Sequence, residues 1–128
     1  AALQFAVEVL RVQHIIVVGH YGCGGIHAAM AAETHDALGT WLAPVRALHY
    51  AQGCKAAPYL MDANTLCERN VVTQVEALAS DPVVRAAWER QAALTLHGWV
   101  YAIADGLLKT VCEPVPNPPR LGNSVETP

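Results

Sequence analysis

Residues 14–25 read HIIVVGHYGCGG, and this stretch decides the fold. Its first half is apolar, β-branched and without alternation, which predicts a strand buried on both faces, as in parallel sheets. A glycine-rich turn follows, and from Gly25 the residues GIHAAMAA predict a helix. The turn therefore joins the carboxyl end of a strand to a helix N-terminus, which is where open α/β sheets bind their ligands.

The rest of the chain predicts helices and a hairpin around this unit. Apolar residues recur with helical spacing, and the predicted helices lie at residues 3–10, 25–32, 40–52, 62–80 and 82–91. A strand at 94–103 leads through an Asp105-Gly106 turn into LLKTV, which indicates a hairpin. The predicted class is therefore α/β, a central, mainly parallel β-sheet flanked by helices, with an antiparallel edge hairpin near the C-terminus.

Two of these helices carry start signals. Asp62 or Asn64 can cap the first turn of the helix at 62–80, and Asp81 followed by Pro82 starts the next one. The apolar face of the first comprises Cys67, Val71, Val75 and Leu78. That of the second comprises Val84, Ala87, Trp88 and Gln91. Each set is expected to form one side of its helix.

The 128 residues fit one domain. We predict an α/β domain over residues 1–112, an exposed connection at 53–61, and a proline-rich extended tail over 113–128. The chain begins without a methionine, and Leu3, Val7 and Leu10 already recur with the spacing of a helix. Further residues upstream are therefore expected.

The composition limits which binding partners and which cell compartment are expected for this chain. Apolar residues make up 53% of the chain and charged residues 15%, a balance that predicts association with another subunit. The net charge is −3 and the basic residues are scattered, which argues against nucleic acid or an anionic membrane surface. Four widely spaced cysteines favour a reduced compartment, so a cytoplasmic location is predicted, and an organellar targeting segment upstream is compatible with it.

The turn itself contains two potential metal ligands. His20 and Cys23 supply an imidazole and a thiolate at a spacing that lets both reach one zinc ion, and Gly22 allows a tight turn. A histidine and a cysteine near a strand end are more often packing residues, so the spacing alone leaves metal binding open. A phosphate-binding loop is disfavoured because the Lys-Ser/Thr pair of such loops is absent.

No convincing third ligand follows from the sequence. Cys67 is interpreted as a small buried hydrophobe, and neither Cys54 nor Cys112 has a partner at ligand spacing. Solvent-facing or capping roles are predicted for His14, His27, His35 and His49. We expect His97 to be hydrogen-bonded near an interface and Trp99 to lie in the core. Solvated helix charges are predicted at Glu8, Glu33 and Glu68.

Four segments together resemble one known family. The segments HIIVVGHYGCGGIHAA, LCERNVVTQVEAL, HGWVYAIADGLLKTV and LQFAVEVL closely resemble the β-class carbonic anhydrases, in the same order and at similar spacing. The resemblance implies a dimeric or larger homo-oligomer that uses Zn²⁺ to hydrate carbon dioxide reversibly to bicarbonate and a proton. In that reaction, zinc lowers the pKa of a bound water, and the resulting hydroxide attacks carbon dioxide.

Carried onto this sequence, the resemblance makes His20 and Cys23 two of three protein zinc ligands. It places Gly24 beside the substrate pocket, and Phe5 stands where many members have a pocket-lining tyrosine. The family's third ligand belongs to an upstream Cys-x-Asp-Ser-Arg segment whose Asp–Arg pair assists catalysis, and no such segment occurs in the 128 residues. The domain is therefore expected to lack its N-terminal part, and no catalytic residue beyond the two ligands is predicted.

Three hypotheses follow from the sequence. The first is a carbonic anhydrase whose remaining site residues precede residue 1 or belong to another chain. The second is a non-catalytic relative of that family, retained as an assembly or binding subunit. The third is an unrelated metal-binding module that uses His20, Cys23 and His27.

Overall fold

The computed structural model describes residues 1–31, 35–53 and 62–119, with the backbone alone at 51–53. A short helix α1 runs directly into a π-helical segment, and three strands and four further helices follow in the described residues. Their bounds are α1 Ala2–Gln4, the π-helical segment Phe5–Val9, β1 His14–His20, α2 Gly24–Met30, α3 Ala37–Gly53, α4 Ala63–Ala79, α5 Pro82–Glu89, β2 Thr95–Ala102 and β3 Leu107–Val115.

The described strands form one mixed sheet in the order β1-β2-β3. Strands β1 and β2 are parallel, with His20 opposite Tyr101, and β2 and β3 form an antiparallel hairpin. In the hairpin turn the Leu107 amide donates to Asp105 Oδ1 at 2.9 Å, and Gly106 adopts a φ of 70°. These observations confirm the predicted α/β class, the antiparallel edge strand and the turn role of Asp105.

The prediction that β1 is buried on both faces was wrong. Its burial alternates along the strand, and the side chains of Ile16 and Val18 are 43% and 53% exposed. Helix α4 packs on the opposite face of β1, so only alternate residues are covered within the described part of the chain. We call the uncovered side the open face of the sheet.

Helix α4 connects the two parts of the core. Val75 lies in a cluster with Trp88 and Leu96, and Cys67 lies in a second cluster with Val100. Cys67 is thus buried, as predicted. The prediction for Trp99 was wrong, because this half-buried residue pairs with Val18 across the open face. Trp99 cannot reach the core because alternate residues of β2 point to opposite sides of the sheet.

The helix starts agree largely with the sequence. Asp62 Oδ1 accepts the Thr65 amide at 2.7 Å, and Asp81 Oδ1 accepts the Val83 amide at 2.8 Å. Helix α3 begins at Ala37, three residues before the predicted start, because Asp36 Oδ1 accepts the Gly39 amide at 2.9 Å.

The predicted solvent-facing or capping role of His49 was also wrong. His49 is almost fully buried on the face of α3 that includes Leu42 and Arg46. The Arg46 guanidinium donates to the carbonyl oxygens of Ala28 and Ala31 at the end of α2, where a positive charge complements the helix dipole. This contact holds the helix that follows the glycine-rich turn against α3.

The structure describes only part of the predicted tail and of the predicted connection. Strand β3 continues to Val115, three residues into the predicted tail, and the described chain ends at Pro119. The predicted connection at 53–61 lies outside the described residues, apart from Gly53 at the end of α3. In the described part of the chain, no helix has the length and apolar character needed to cross a membrane.

Gly98 lies at a close contact between the sheet and α4. A Cβ atom at this position would lie 2.8 Å from Cys112 Sγ, 3.1 Å from Val71 Cγ1 and 3.2 Å from Val75 Cγ2. The atoms that approach residue 98 all belong to side chains of β3 and α4. Helix α4 can pack this tightly because residue 98 has no side chain.

Gly98→Ala is expected to lower the free energy of unfolding by about 1–3 kcal/mol, because the added methyl group overpacks the contact with α4. Urea denaturation monitored by circular dichroism measures this loss. Gly24→Ala is the matched control, since a Cβ atom at Gly24 meets nothing within 4 Å. Equal stabilities of the two variants would contradict this account of the packing.

Candidate metal centre

The glycine-rich turn places two potential ligands at the carboxyl end of β1. His20 is the last residue of the strand, and Cys23 is the N-cap residue of α2 with an extended backbone. Between them Gly22 has a φ of 73°, a conformation that costs a residue with a Cβ atom energy. This reversal brings the chain from strand to helix within three residues, and it confirms the predicted role of Gly22.

The His20 ring is oriented by a neighbouring carbonyl. Its Nδ1 atom lies 3.1 Å from the carbonyl oxygen of Tyr21, and because a carbonyl only accepts, Nδ1 must donate. In a neutral imidazole, Nε2 then carries the free lone pair that a metal ion requires. The Cys23 thiol on the same turn is partly exposed. The two side chains therefore have the chemistry of zinc ligands.

The structure does not bring further ligands to this pair. Among residues 1–31, 35–53 and 62–119, no group of three or more His, Cys, Asp or Glu side chains is placed to hold a metal ion. His27 is exposed on α2, as predicted, and does not join His20 and Cys23. The third hypothesis, a module built from those three residues, is therefore contradicted.

The two predicted substrate-pocket residues occupy different elements. Gly24 is the first residue of α2 and is exposed, directly after Cys23. Phe5 begins the π-helical segment, which packs against α5, and its side chain is 54% exposed. Their contribution to a substrate pocket stays a prediction.

Sequence reasoning missed a polar network that anchors the turn. The Tyr21 hydroxyl donates to Glu68 Oε1 on α4, and Lys109 Nζ on β3 donates to the same oxygen at 3.3 Å. The hydrogen bond to Glu68 raises the pKa of Tyr21, and the same carboxylate raises the pKa of Lys109. The prediction that Glu68 is a solvated helix charge was wrong.

Helix α4 makes a second contact with the turn through Cys67. Its Sγ atom donates to the carbonyl oxygen of His20 at 3.2 Å. Burial raises the pKa of the Cys67 thiol, and the nearby Cys23 and Glu68 act in the same direction. Cys67 therefore acts as a neutral hydrogen-bond donor. No local pattern signals this contact, because 47 residues separate the donor from the acceptor.

A pair of histidines lies at the other end of β1, on the open face. His14 Nδ1 and His97 Nε2 are 3.0 Å apart, and the His97 ring lies 5.8 Å from that of Trp99. The predicted hydrogen bond of His97 is thus confirmed, with His14 as its partner. The two rings join the N-terminal ends of the parallel strands β1 and β2, and they lie at the opposite end of β1 from His20.

Comparison with known sequences identifies the relatives of this chain. A family model described as carbonic anhydrase matches residues 1–108. A carbonic anhydrase of Emericella nidulans is 33% identical over 112 residues, covering 85% of this chain and 49% of the relative. One from Pseudomonas aeruginosa is 37% identical over 112 residues, covering 83% and 50%. The chain thus spans about half the length of the curated relatives it matches.

Solved structures agree with the sequence comparison. A Coccomyxa β-carbonic anhydrase in complex with acetazolamide matches with a TM-score of 0.79 and 32% identity, covering 88% of this chain and 53% of that one. A structure from a study of two tetrameric β-carbonic anhydrases of Sordaria macrospora matches with a TM-score of 0.73 and 27% identity, covering 88% and 59%.

Gly22→Ala is expected to cost about 1 kcal/mol of folding free energy, because alanine must adopt the left-handed conformation of the turn. Gly22→Asn should lose less, since asparagine tolerates that conformation better. Thermal unfolding of both variants beside the unaltered chain measures the difference. If alanine and asparagine were equally well tolerated, the positive φ would not constrain this position.

Proposed function

The chain belongs to the β-class carbonic anhydrases, and from this premise we propose that it contributes His20 and Cys23 to a zinc site for the reversible hydration of carbon dioxide to bicarbonate. The observation that carries the proposal is the hydrogen bond from His20 Nδ1 to the carbonyl oxygen of Tyr21. It leaves Nε2 free as a ligand on the same turn as the Cys23 thiol. Both are donor types that zinc prefers.

Zinc bound at this turn would supply a Lewis acid that activates water for attack on carbon dioxide. The chain's own residues hold and orient the ligands. The Tyr21 carbonyl sets the tautomer of His20, and the Cys67 thiol restrains the His20 backbone. Gly24 leaves open space beside Cys23, which suits a small neutral substrate.

The proposed zinc site requires additional residues. Zinc sites in proteins use three or four protein ligands, and the described residues supply two at this turn. Catalysis therefore depends on ligands from residues outside the described part or from another chain. The incomplete ligand set supports a second candidate function, in which this chain is a non-catalytic subunit of an assembly. The cytoplasmic location inferred from the cysteines stays a prediction.

We expect His20→Ala and Cys23→Ser each to weaken Co²⁺ or Zn²⁺ binding at least about tenfold, as loss of one ligand removes both bond energy and geometry. Chelator competition measures the affinity, and the thiolate-to-cobalt charge-transfer band reports Cys23. His27→Ala is the matched control, an exposed histidine on the adjoining helix that should leave binding unchanged.

Stopped-flow carbon dioxide hydration separates the two candidate functions. Stoichiometric zinc with hydration that His20→Ala abolishes supports the enzyme. Neither bound zinc nor hydration in a protein that also contains the remaining ligands supports the non-catalytic subunit, because the described residues of this chain supply two ligands at the turn. Metal binding that His20→Ala and Cys23→Ser leave intact would contradict the proposed site altogether.

We also propose that the open face of the sheet contacts a second copy of this chain. Apolar side chains follow one another across the three strands, and they are Ile16, Val18, Trp99, Tyr101 and Leu108. An apolar patch of this kind on a small domain marks an association surface. The tetrameric state of the Sordaria macrospora relatives is consistent with self-association of the family.

Val18→Lys is expected to shift the chain toward a smaller species, because a charge in the centre of an apolar contact must be desolvated. Sedimentation velocity over a range of concentrations measures the distribution. Leu38→Lys, at a similarly exposed position on α3, is the control and should leave the distribution unchanged. A chain that sediments as a monomer at all concentrations would overturn the proposal.

A further inference from the structure

We propose that Tyr21, Glu68 and Lys109 form a positioning network. This network holds the turn with His20 and Cys23 in the conformation that metal binding requires. The inference rests on the proposed function, because that function gives the shape of the turn its purpose. Tyr21 lies between the two ligands in the sequence, yet its side chain reaches away from them to α4. Its role is therefore to position the ligands, without contact with the metal.

Three groups of Tyr21 bind three different parts of the molecule. Its amide donates to the carbonyl oxygen of Tyr101 on β2 at 3.1 Å, and its carbonyl accepts from His20 Nδ1 at 3.1 Å. Its hydroxyl donates to Glu68 on α4. The carbonyl that sets the His20 ring is thus part of a residue attached at both ends. A shift of the Tyr21 side chain would move this carbonyl and the ring with it.

Glu68 receives both donors of the network on the same oxygen. Tyr21 and Lys109 each donate to Oε1, and a carboxylate acceptor makes these bonds stronger than bonds between neutral groups. The neighbouring Cys67 donates to the His20 carbonyl, so two consecutive residues of α4 restrain the turn.

The two hydrogen bonds to Glu68 contribute unequally to holding the turn. Lys109 is 65% exposed, and a solvent-screened ion pair of this kind contributes little. Tyr21 and Glu68 are both partly buried, with 33% of the Glu68 side chain exposed, so water replaces their bond less readily. Loss of the Tyr21 hydroxyl should therefore disturb the turn more than loss of the Lys109 charge.

The test compares Tyr21→Phe, Glu68→Ala, Glu68→Gln and Lys109→Met in the full 128-residue chain without metal. The first readout is the rate at which iodoacetamide alkylates Cys23, relative to Cys112 in the same molecule. The second is amide hydrogen exchange of residues 19–25. We expect Tyr21→Phe and Glu68→Ala to raise both rates several-fold. Glu68→Gln should keep most of the protection that Glu68→Ala loses, because its amide oxygen still accepts a hydrogen bond. Lys109→Met should have the smallest effect.

Asp62→Ala is the control for a general loss of stability. It removes the cap of the same helix, α4, without touching the turn. It should leave the Cys23-to-Cys112 ratio unchanged, whereas a merely structural role of Glu68 would make the two helix variants alike. Glu68→Gln keeps the comparison decisive if Glu68→Ala fails to fold.

Co²⁺ affinity, measured in parallel, separates this inference from the proposed function. If the unaltered chain binds no cobalt even in the presence of the remaining ligands, but Tyr21→Phe still exposes Cys23, the positioning network stands and the zinc function of this chain fails. If the chain binds cobalt and Tyr21→Phe changes neither alkylation, exchange nor affinity, the positioning network is overturned while the zinc function stands.

Discussion

The close packing of α4 against β1 and β2 is the contact on which the rest of the structure depends. Two glycines make it possible, because Cβ atoms at Gly19 and Gly98 would lie 2.7 Å from Val71 Cγ2 and 3.1 Å from Val71 Cγ1. The helix therefore approaches the sheet backbone directly. This approach brings Cys67 within 3.2 Å of the His20 carbonyl and Glu68 within reach of Tyr21. Core packing and the geometry of the candidate metal centre thus have one common cause.

The two faces of the sheet have different roles. On the α4 side, alternate residues of β2 such as Leu96 and Val100 are fully buried and stabilise the domain. On the open face, Ile16, Val18 and Trp99 lie at or near the surface and point away from the core. His20 ends β1 in the same exposed phase as Ile16 and Val18, while its backbone carbonyl accepts from Cys67 on the α4 side.

Part of this architecture was predictable from local sequence alone. The caps at Asp62 and Asp81, the Asp105-Gly106 turn and the tight turn at Gly22 depend on residues close together in the chain, and each is present. The predictions for β1, Trp99, His49 and Glu68 failed for one shared reason. Burial and hydrogen-bond partners at these positions depend on elements far away in the sequence, which no short window contains.

The sequence by itself determined the strand–turn–helix unit and the two potential ligands, because they are encoded in one contiguous stretch that begins at His14, and it determined the family through four segments in the same order. Only the tertiary structure decided how those ligands are held. The His20 ring is set by a carbonyl whose residue is fixed by Glu68 and Tyr101, 47 and 80 positions further along the chain. Such contacts arise only after α4 has packed on the sheet, and that packing depends on the absence of a Cβ atom at two distant glycines.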